Sequence, residues 1–410
     1  MVSSAPICAR CLLPASIPYL SFDEDGVCSE CRAPRRNLTE AGQRQAEEAM
    51  NELFAQARRS GAPYHVLVLA SGGADSSYLL DLLRRTYDLN PLALHIAEDI
   101  GRALATRNVQ RIAAATGSDL IRFSMDADFV KRWVREGLPE CFRHQLGPHA
   151  GRDLFVHLRR SLSLNLASRL GIPIVAEAVE IAQFPRRLVF RGERHRRHWR
   201  QGRKRKALRA IFKQIFADQY DNSLYVFDPD RASTAPLPAL IFPNAILRYD
   251  KTMAVERLAE LGLSREALGS AFTNTQINPF VSLFSYREYD AHVNLEHLAA
   301  EIRRDGFCRI GVGGRPLDRQ AMLELLGEMK RATLYFAYSS DDCPDELEAY
   351  GERFPRLREL LGHDEAFVAR IRTKRMVRHF SEYFGIPLPP PEAVGVPSAG
   401  GIIGSESEAR

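Results

Sequence analysis

Short apolar runs alternate with amphipathic segments over the first half of the chain. Runs long enough for buried strands occur at residues 65–70, 91–97, 119–125 and 172–178. Segments with helical periodicity lie at residues 39–60, 74–86, 102–116 and 153–170. Strands that alternate with helices indicate parallel crossovers, so the pattern predicts an α/β fold with a doubly wound parallel sheet. Any ligand is expected beyond the carboxyl ends of the strands.

The sequence SGGADSS (residues 71–77) joins the first predicted strand to the helix that follows it. Glycines allow backbone N–H groups to approach an anion, and a helix N-terminus favours negative charge. The segment is neither a Walker A loop nor a Gly-x-Gly-x-x-Gly fingerprint. An ordinary strand-to-helix turn capped by Asp or Ser is the alternative interpretation. The strand, the turn and the helix occur together, which favours a phosphate-binding role for this glycine turn.

Four of the seven cysteines lie in the first 31 residues, as Cys8-x-x-Cys11 and Cys28-x-x-Cys31. Two Cys-x-x-Cys pairs at this spacing are typical of a structural Zn²⁺ site with four thiolate ligands. Two disulfides are the alternative. The zinc interpretation agrees with the cytoplasmic location expected here, because we find no secretory signal and no apolar run long enough to span a membrane.

The glycine turn resembles the PP-loop of the ATP pyrophosphatase superfamily, whose members cleave ATP between the α and β phosphates and adenylate a carbonyl or carboxyl oxygen. The resemblance implies that the turn wraps the pyrophosphate of ATP and that Asp75 helps to position Mg²⁺. It implies Asp75, Ser77 and Glu177 as catalytic residues. The implied nucleotide-binding residues are Ala70, Ser71, Gly72, Gly73, Asp75, Ser76, Ser77 and His95.

A second resemblance covers residues 6–180. The sequence CARCLLP (residues 8–14), then Phe22-Asp23-Glu24 and a PP-loop, is similar to the N-acetyl sugar amidotransferases of bacterial surface-polysaccharide pathways. It implies that nitrogen from ammonia, supplied by a separate glutaminase, replaces the adenylated oxygen of a nucleotide-linked or related sugar. The expected organisation is a zinc ribbon (1–38), a connecting helix (39–62), a PP-loop domain (63–265), a helical acceptor or partner domain (266–386) and a disordered tail (387–410).

Some positions depart from the family or have two interpretations. Ala176 stands where relatives place a glycine, so roles for Glu177 and Glu180 in binding Mg²⁺ or orienting the nucleophile compete with capping or with pairing to the basic arm that follows. Arg248 and Lys251 are candidates for phosphate or acceptor contacts, and an exposed helix start is the alternative.

The net charge of +5 conceals a basic arm at residues 186–209, where twelve Lys/Arg face the single Glu193, a sum of +11. The remainder of the chain is therefore near −6, from 5 − 11. Such a segment suits a polyanionic partner such as RNA or a phosphorylated ligand, and equally a solvated, partly disordered loop.

The chemistry therefore has two enzymatic interpretations and one nonenzymatic one. Amidation is favoured because the predicted sheet domain holds only Cys141, while Cys308 and Cys343 lie far away in sequence. ATP-dependent thiolation of tRNA or a small molecule, with sulfur from a donor protein, is the enzymatic alternative. A zinc-dependent partner protein that binds nucleotide without turnover is the third.

Overall fold

The computed structural model describes residues 5–33, 39–97, 103–179, 187–217, 224–229, 237–247, 249–263, 277–309, 316–338, 354–355, 359 and 373–395. The strands are β1 (Val66–Leu69), β2 (Pro91–Ala97), β3 (Asp119–Ser124), β4 (Ile174–Ala176), β5 (Val189–Phe190), β6 (Ala239–Ile241), β7 (Phe307–Arg309) and β8 (Pro316–Asp318). The helices of the first half are α1 (Ser29–Arg32), α2 (Glu40–Arg59), α3 (Ala74–Arg85), α4 (Ala103–Thr116), α5 (Ala127–Arg143) and α6 (Ala150–Arg169). The later helices are α7 (Gly192–Gln201), α8 (Arg203–Ile215), α9 (Pro243–Leu247), α10 (Lys251–Glu260), α11 (Asn278–Tyr289), α12 (Leu295–Asp305), α13 (Arg319–Tyr338) and α14 (Thr373–Phe384).

Six strands form the main sheet in the order β3-β2-β1-β4-β6-β5. All neighbours are parallel except the edge strand β5, which runs antiparallel to β6. The chain moves outward from β1 through β2 to β3, and then returns to the other side of β1 to place β4 and β6. This is the predicted doubly wound α/β fold. The strand order changes direction between β1 and β4, and in open α/β sheets ligands bind beyond the carboxyl ends of the strands at such a point.

Side-chain caps fix the start of several helices. Thr39 accepts a hydrogen bond from the Gly42 backbone N–H at the start of α2, and Asp126 caps α5 in the same way. At α10, the Asp250 carboxylate accepts from the backbone N–H groups of Thr252 and Met253. The cap at Asp250 determines where Lys251 enters its helix.

The hydrophobic core consists of two clusters. One surrounds the main sheet and includes α2, α3, α4 and Trp199 of α7. The other joins the N-terminal cysteine segment to α5, α6, α8 and the helices after residue 276, and it includes the buried side chains of Leu12 and Ile17. The cysteine segment is therefore packed on the helical C-terminal region.

The basic arm is helical from residue 192 onward and is not a solvated loop. Helices α7 and α8 bury Trp199, Leu208, Ile211 and Phe212, so their apolar faces belong to the protein core. Residue 186 lies outside the described residues.

Part of the segment predicted as a disordered tail is packed against the protein. A 3-10 turn at Pro391–Val394 buries Val394, and the Tyr338 hydroxyl donates to the Pro389 carbonyl oxygen at 2.6 Å. Residues 396–410 lie outside the described residues. Among the helices of the described ranges, none has the length and apolar character needed to cross a membrane.

Candidate active site and metal centre

The glycine turn leaves β1 at the carboxyl edge of the sheet and enters α3 with Gly73 as its N-cap residue. Gly72 has φ of +77°, a conformation that L side chains rarely adopt. A Cβ atom at this position would lie 2.1 Å from the carbonyl oxygen of Ala105 in α4. Backbone conformation and close contact with α4 therefore both require glycine here.

Hydroxyl groups hold the turn in shape from within. The Ser71 N–H donates to Ser76 Oγ at 3.0 Å, and the Ser71 and Ser76 hydroxyls are 3.1 Å apart. The Gly73 N–H donates to Ser71 Oγ at 3.4 Å. The Ser77 hydroxyl is buried and has no hydrogen-bond partner among the described residues. Because buried polar atoms are normally satisfied, the Ser77 hydroxyl has capacity for a ligand.

Side chains of α4 and β2 form hydrogen bonds with the backbone of the glycine turn and of the residue before it. The Asn108 side-chain amide of α4 donates to the Gly72 carbonyl oxygen at 3.1 Å. His95 of β2 uses Nδ1 to donate to the Ala70 carbonyl oxygen at 2.9 Å, which leaves Nε2 to accept from the Thr106 hydroxyl at 3.0 Å. His95 is 6% exposed, so its ring positions the turn in this structure, and the adenosine contact expected of it stays a prediction.

The segment that carries α9 and α10 lies over the start of α3. The Asn244 side chain donates to the Asp75 carbonyl oxygen at 3.1 Å, and the Tyr249 hydroxyl donates to the Asp75 carboxylate. Lys251 Nζ is 3.9 Å from the same carboxylate. Asn244 and Tyr249 were not predicted as site residues, although the sequence NAILRYDK (residues 244–251) places both beside the expected Lys251. Arg248 lies outside the described residues.

A half-buried ion pair joins α10 to α3. Arg257 donates from Nε and Nη2 to the two carboxylate oxygens of Asp81, at 3.1 and 3.3 Å. Asp81 is 4% exposed, so this carboxylate is held in a nearly dry environment. The pair therefore holds α10, which begins at Lys251, against α3.

Glu177 follows β4 at the carboxyl edge, on the strand next to β1. Both of its carboxylate oxygens accept from Arg160 of α6, at 2.6 and 2.5 Å, and the two side chains are buried. Glu177 is therefore ion-paired in this structure, but its partner is Arg160 of α6 and not the basic arm that the sequence suggested. A catalytic role for Glu177 stays a prediction, and Glu180 lies outside the described residues.

The four N-terminal cysteines converge as their spacing predicts. The sulfur atoms lie within 4.8 Å of one another, with Cys8 and Cys31 at 3.8 Å and Cys11 and Cys28 at 3.7 Å. A tetrahedral zinc site with Zn–S bonds of about 2.3 Å separates its sulfurs by about 3.8 Å. The four side chains therefore fit one tetrahedral metal ion.

Two arginines of the C-terminal region contact the cysteine cluster. Arg303 Nη1 donates to Cys11 Sγ at 3.6 Å, and Arg319 donates to the carbonyl oxygens of Cys11 and Cys8 at 2.9 and 2.8 Å. Hydrogen bonds from Cys28 and Cys31 and the charge of Arg303 lower the pKa of Cys11 to about 4. A thiolate, the form that binds metal, is therefore favoured at Cys11.

The described thiols outside this cluster are poorly suited to sulfur chemistry. Cys141 and Cys308 are buried, and burial raises the pKa of both thiols above their ordinary value. A buried neutral thiol is a poor nucleophile. Cys343 lies outside the described residues.

Comparisons with known proteins give structural neighbours only. Neither a scan of protein-family profiles nor a search of curated proteins finds a match to this chain. Among solved structures, an NMN synthetase from Francisella tularensis is 13% identical, with a TM-score of 0.33 over 64% of this chain and 96% of that one. An NH3-dependent NAD synthetase from Campylobacter jejuni subsp. jejuni is 17% identical, with a TM-score of 0.26 over 34% of this chain. The chain spans 58% of the length of that synthetase. The U34-tRNA thiolase NcsA of Methanococcus maripaludis, with its 4Fe–4S cluster, is 15% identical, with a TM-score of 0.26 over 73% of this chain and 89% of that one.

Proposed function

We propose that this protein is an ATP-dependent adenylating enzyme that releases AMP and pyrophosphate and transfers nitrogen from ammonia to a sugar or related small molecule. The observation that carries the proposal is the glycine turn. It lies at the carboxyl end of a central strand, opens a helix, requires glycine at position 72 and holds a buried Ser77 hydroxyl that has no partner among the described residues. These are the features of a phosphate cradle.

The residues around the glycine turn have different roles in the adenylation step. Backbone N–H groups at the start of α3 and the Ser77 hydroxyl receive the β and γ phosphates, while Lys251 adds positive charge beside them. Asp75 would hold Mg²⁺, which would supply positive charge to neutralise the pyrophosphate. Asn244 fixes the backbone at Asp75, so that this carboxylate has a defined position.

The bond changes balance without a side-chain nucleophile. An acyl or amide oxygen of the acceptor attacks the α-phosphorus of ATP, and pyrophosphate leaves. Ammonia then attacks the adenylated carbon, and AMP leaves with the acceptor oxygen. The crevice between β1 and β4 is where the acceptor would meet the nucleotide. A separate glutaminase as the ammonia source is part of the proposal.

Sulfur transfer to tRNA or a small molecule is the second candidate. The burial of Cys141 and Cys308 favours nitrogen, because neither thiol is placed to carry a persulfide. The zinc ion that we assign to the four cysteines has a structural role, since four thiolates leave no position open for substrate. Cytoplasmic location remains part of the proposal.

The test replaces Asp75 with Asn and follows the nucleotide products. With ATP, Mg²⁺, ammonium and a panel of extract-derived acceptors, we expect the wild-type protein to form AMP and pyrophosphate and Asp75→Asn to form neither. Asp128→Asn is the matched control, because Asp128 also stands in the first turn of a helix but is exposed. Unchanged turnover in Asp75→Asn, or ADP as the product, would contradict the proposal, and turnover that needs sulfide would favour the second candidate.

A further inference from the structure

Helix α6 carries a row of polar side chains that the proposed adenylation chemistry does not use. His157 and Arg160 lie one turn apart on α6 and are 3% and 6% exposed. Above them lies the basic arm, with the Trp199 ring centred 5.9 Å from that of His157. Burial of this much polar and cationic surface is costly unless each group has a partner.

Two arginines of α8 bring further positive charge into this region without a carboxylate partner. Arg205 donates to the carbonyl oxygen and Nδ1 of His198, at 2.8 and 3.0 Å. Arg209 donates to the carbonyl oxygens of Trp199 and Arg200. In the described part of the chain, neither guanidinium has an acidic group within salt-bridge distance. Both arginines are half-buried, so a solute can reach them.

The neighbouring acidic groups are already paired with other cations. Glu177 binds Arg160, and Lys204 contacts Asp153 at 3.0 Å and Glu296 at 3.4 Å. Among the described residues, the four cations Arg160, Lys204, Arg205 and Arg209 therefore lie near three carboxylates, those of Glu177, Asp153 and Glu296. Burial and the charges of Arg160 and Arg209 lower the pKa of Arg205 to about 9, which reports the crowding of positive charge.

His157 supplies a neutral donor or acceptor at the same place. Its Nε2 atom is buried and has no hydrogen-bond partner among the described residues. Burial and the charges of Arg209, Arg160 and Arg205 lower the pKa of His157 to about 3, so the imidazole is uncharged at neutral pH. A neutral imidazole beside guanidinium groups can donate an N–H to an oxyanion.

We propose that His157, Arg205 and Arg209 form a subsite for an oxyanion group, phosphate or carboxylate, of the acceptor. The subsite rests on the proposed function for its link to an acceptor. Arg160 connects it, through Glu177, to the strand beside the glycine turn, so an acceptor held here extends toward the adenylation crevice. Arg205 and Arg209 are half-buried, whereas Arg194 and Arg197 of α7 are exposed. A half-buried pair of guanidinium groups fits a small anion better than an RNA backbone.

The experiment titrates inorganic phosphate, and separately acetate, into the zinc-loaded full chain while saturating α,β-methylene ATP occupies the glycine turn. We expect one phosphate or acetate ion per chain, and the preferred ion identifies the acceptor group. Arg205→Gln and Arg209→Gln are each expected to weaken binding about tenfold or more, because each removes a charge-assisted hydrogen bond. The double variant Arg194→Gln/Arg197→Gln is the matched control on the outer face and should bind within about twofold of wild type.

Several results would overturn the subsite. If the wild-type protein binds neither phosphate nor acetate, the subsite is refuted whatever the variants do. The subsite is also refuted if the arginine variants that keep their helical circular dichroism bind the ion as tightly as the wild type. Salt-sensitive tRNA binding that only the outer double variant abolishes, together with unchanged ion binding by the inner variants, would assign the arm to RNA. Failure of the proposed function is separate, because it appears as absent AMP formation by a protein whose ion titration still distinguishes the inner arginine variants from the outer double variant.

Discussion

Gly72→Ala tests whether the glycine turn is built by the close contact that the structure contains. Alanine at φ of +77° incurs the left-handed backbone cost of about 1–2 kcal/mol. Its Cβ would also lie 2.1 Å from the Ala105 carbonyl oxygen, a backbone atom that moves only with α4. Overpacking of this kind typically costs about 1–3 kcal/mol, so we expect a total loss of about 2–5 kcal/mol in unfolding free energy.

Comparison with Gly61→Ala separates the steric part of the cost in Gly72→Ala from the backbone part. Gly61 has φ of +69°, and a Cβ there would meet no atom within 4 Å, so only the backbone cost of about 1–2 kcal/mol applies. Urea unfolding of both variants, followed by calorimetric titration with α,β-methylene ATP, compares stability and nucleotide binding. Movement of α4 would also disturb the Asn108 bond to Gly72, so we expect Gly72→Ala alone to lose nucleotide affinity. Equal stability and equal affinity in the two variants would refute the role of this contact.

Two further predictions concern the metal site and pH. Removal of metal by a chelator, or by Cys28→Ser, should unfold the cysteine segment and lower the melting temperature of the helical region, because Leu12 and Ile17 of that segment are buried in the same core cluster. Metal analysis combined with thermal melting checks this prediction, and an unchanged melting temperature would contradict it. Burial raises the pKa of Glu296 to about 7 from an ordinary 4.5, so the stability that its proton contributes is complete below pH 4.5 and is lost as pH rises through about 7. Glu296→Gln should flatten the decline of stability between about pH 5 and 8 in urea titrations, and an unaltered slope would argue against a raised pKa.

Local patterns predicted the centre of the fold well. The four strands from β1 to β4 and the helices α3, α4 and α6 form where apolar runs and amphipathic periods indicated them. The glycine turn and the cysteine cluster were equally visible, because both depend on residue types at fixed short spacings. In each case the physical signal lies within about 25 residues of sequence.

Other elements were missed because their signal is obscured or distant. Helix α5 contains Pro139, which normally marks a helix end, yet the helix continues because Val130, Trp133 and Val134 bury one face. The many Lys and Arg residues of helix α8 obscured its apolar pattern in the sequence. Leu208, Ile211 and Phe212 nevertheless show helical spacing.

Contacts that depend on tertiary packing were beyond any local pattern. The Tyr249 hydroxyl meets Asp75 across 174 residues of sequence, and nothing local to either residue indicates the pair. Arg160 and Glu177 are only 17 residues apart, but they meet because α6 packs across the sheet and returns the chain to β4. Composition likewise suggested solvent around the basic arm, whereas several of its arginines donate to carbonyl oxygens of the arm itself.

The two segments that set this chain apart, the cysteine segment and the basic arm, share one half-buried network of hydrogen bonds and ion pairs. The Tyr19 hydroxyl donates to Glu296 of α12, Glu296 contacts Lys204 of the arm at 3.4 Å, and Lys204 contacts Asp153 of α6 at 3.0 Å. Because Asp153 lies one turn before His157 on α6, displacement of the cysteine segment would also release a cation at the proposed anion subsite. Metal loss and changes of charge in the arm are therefore expected to act on the same side chains, so their effects on stability should not be additive.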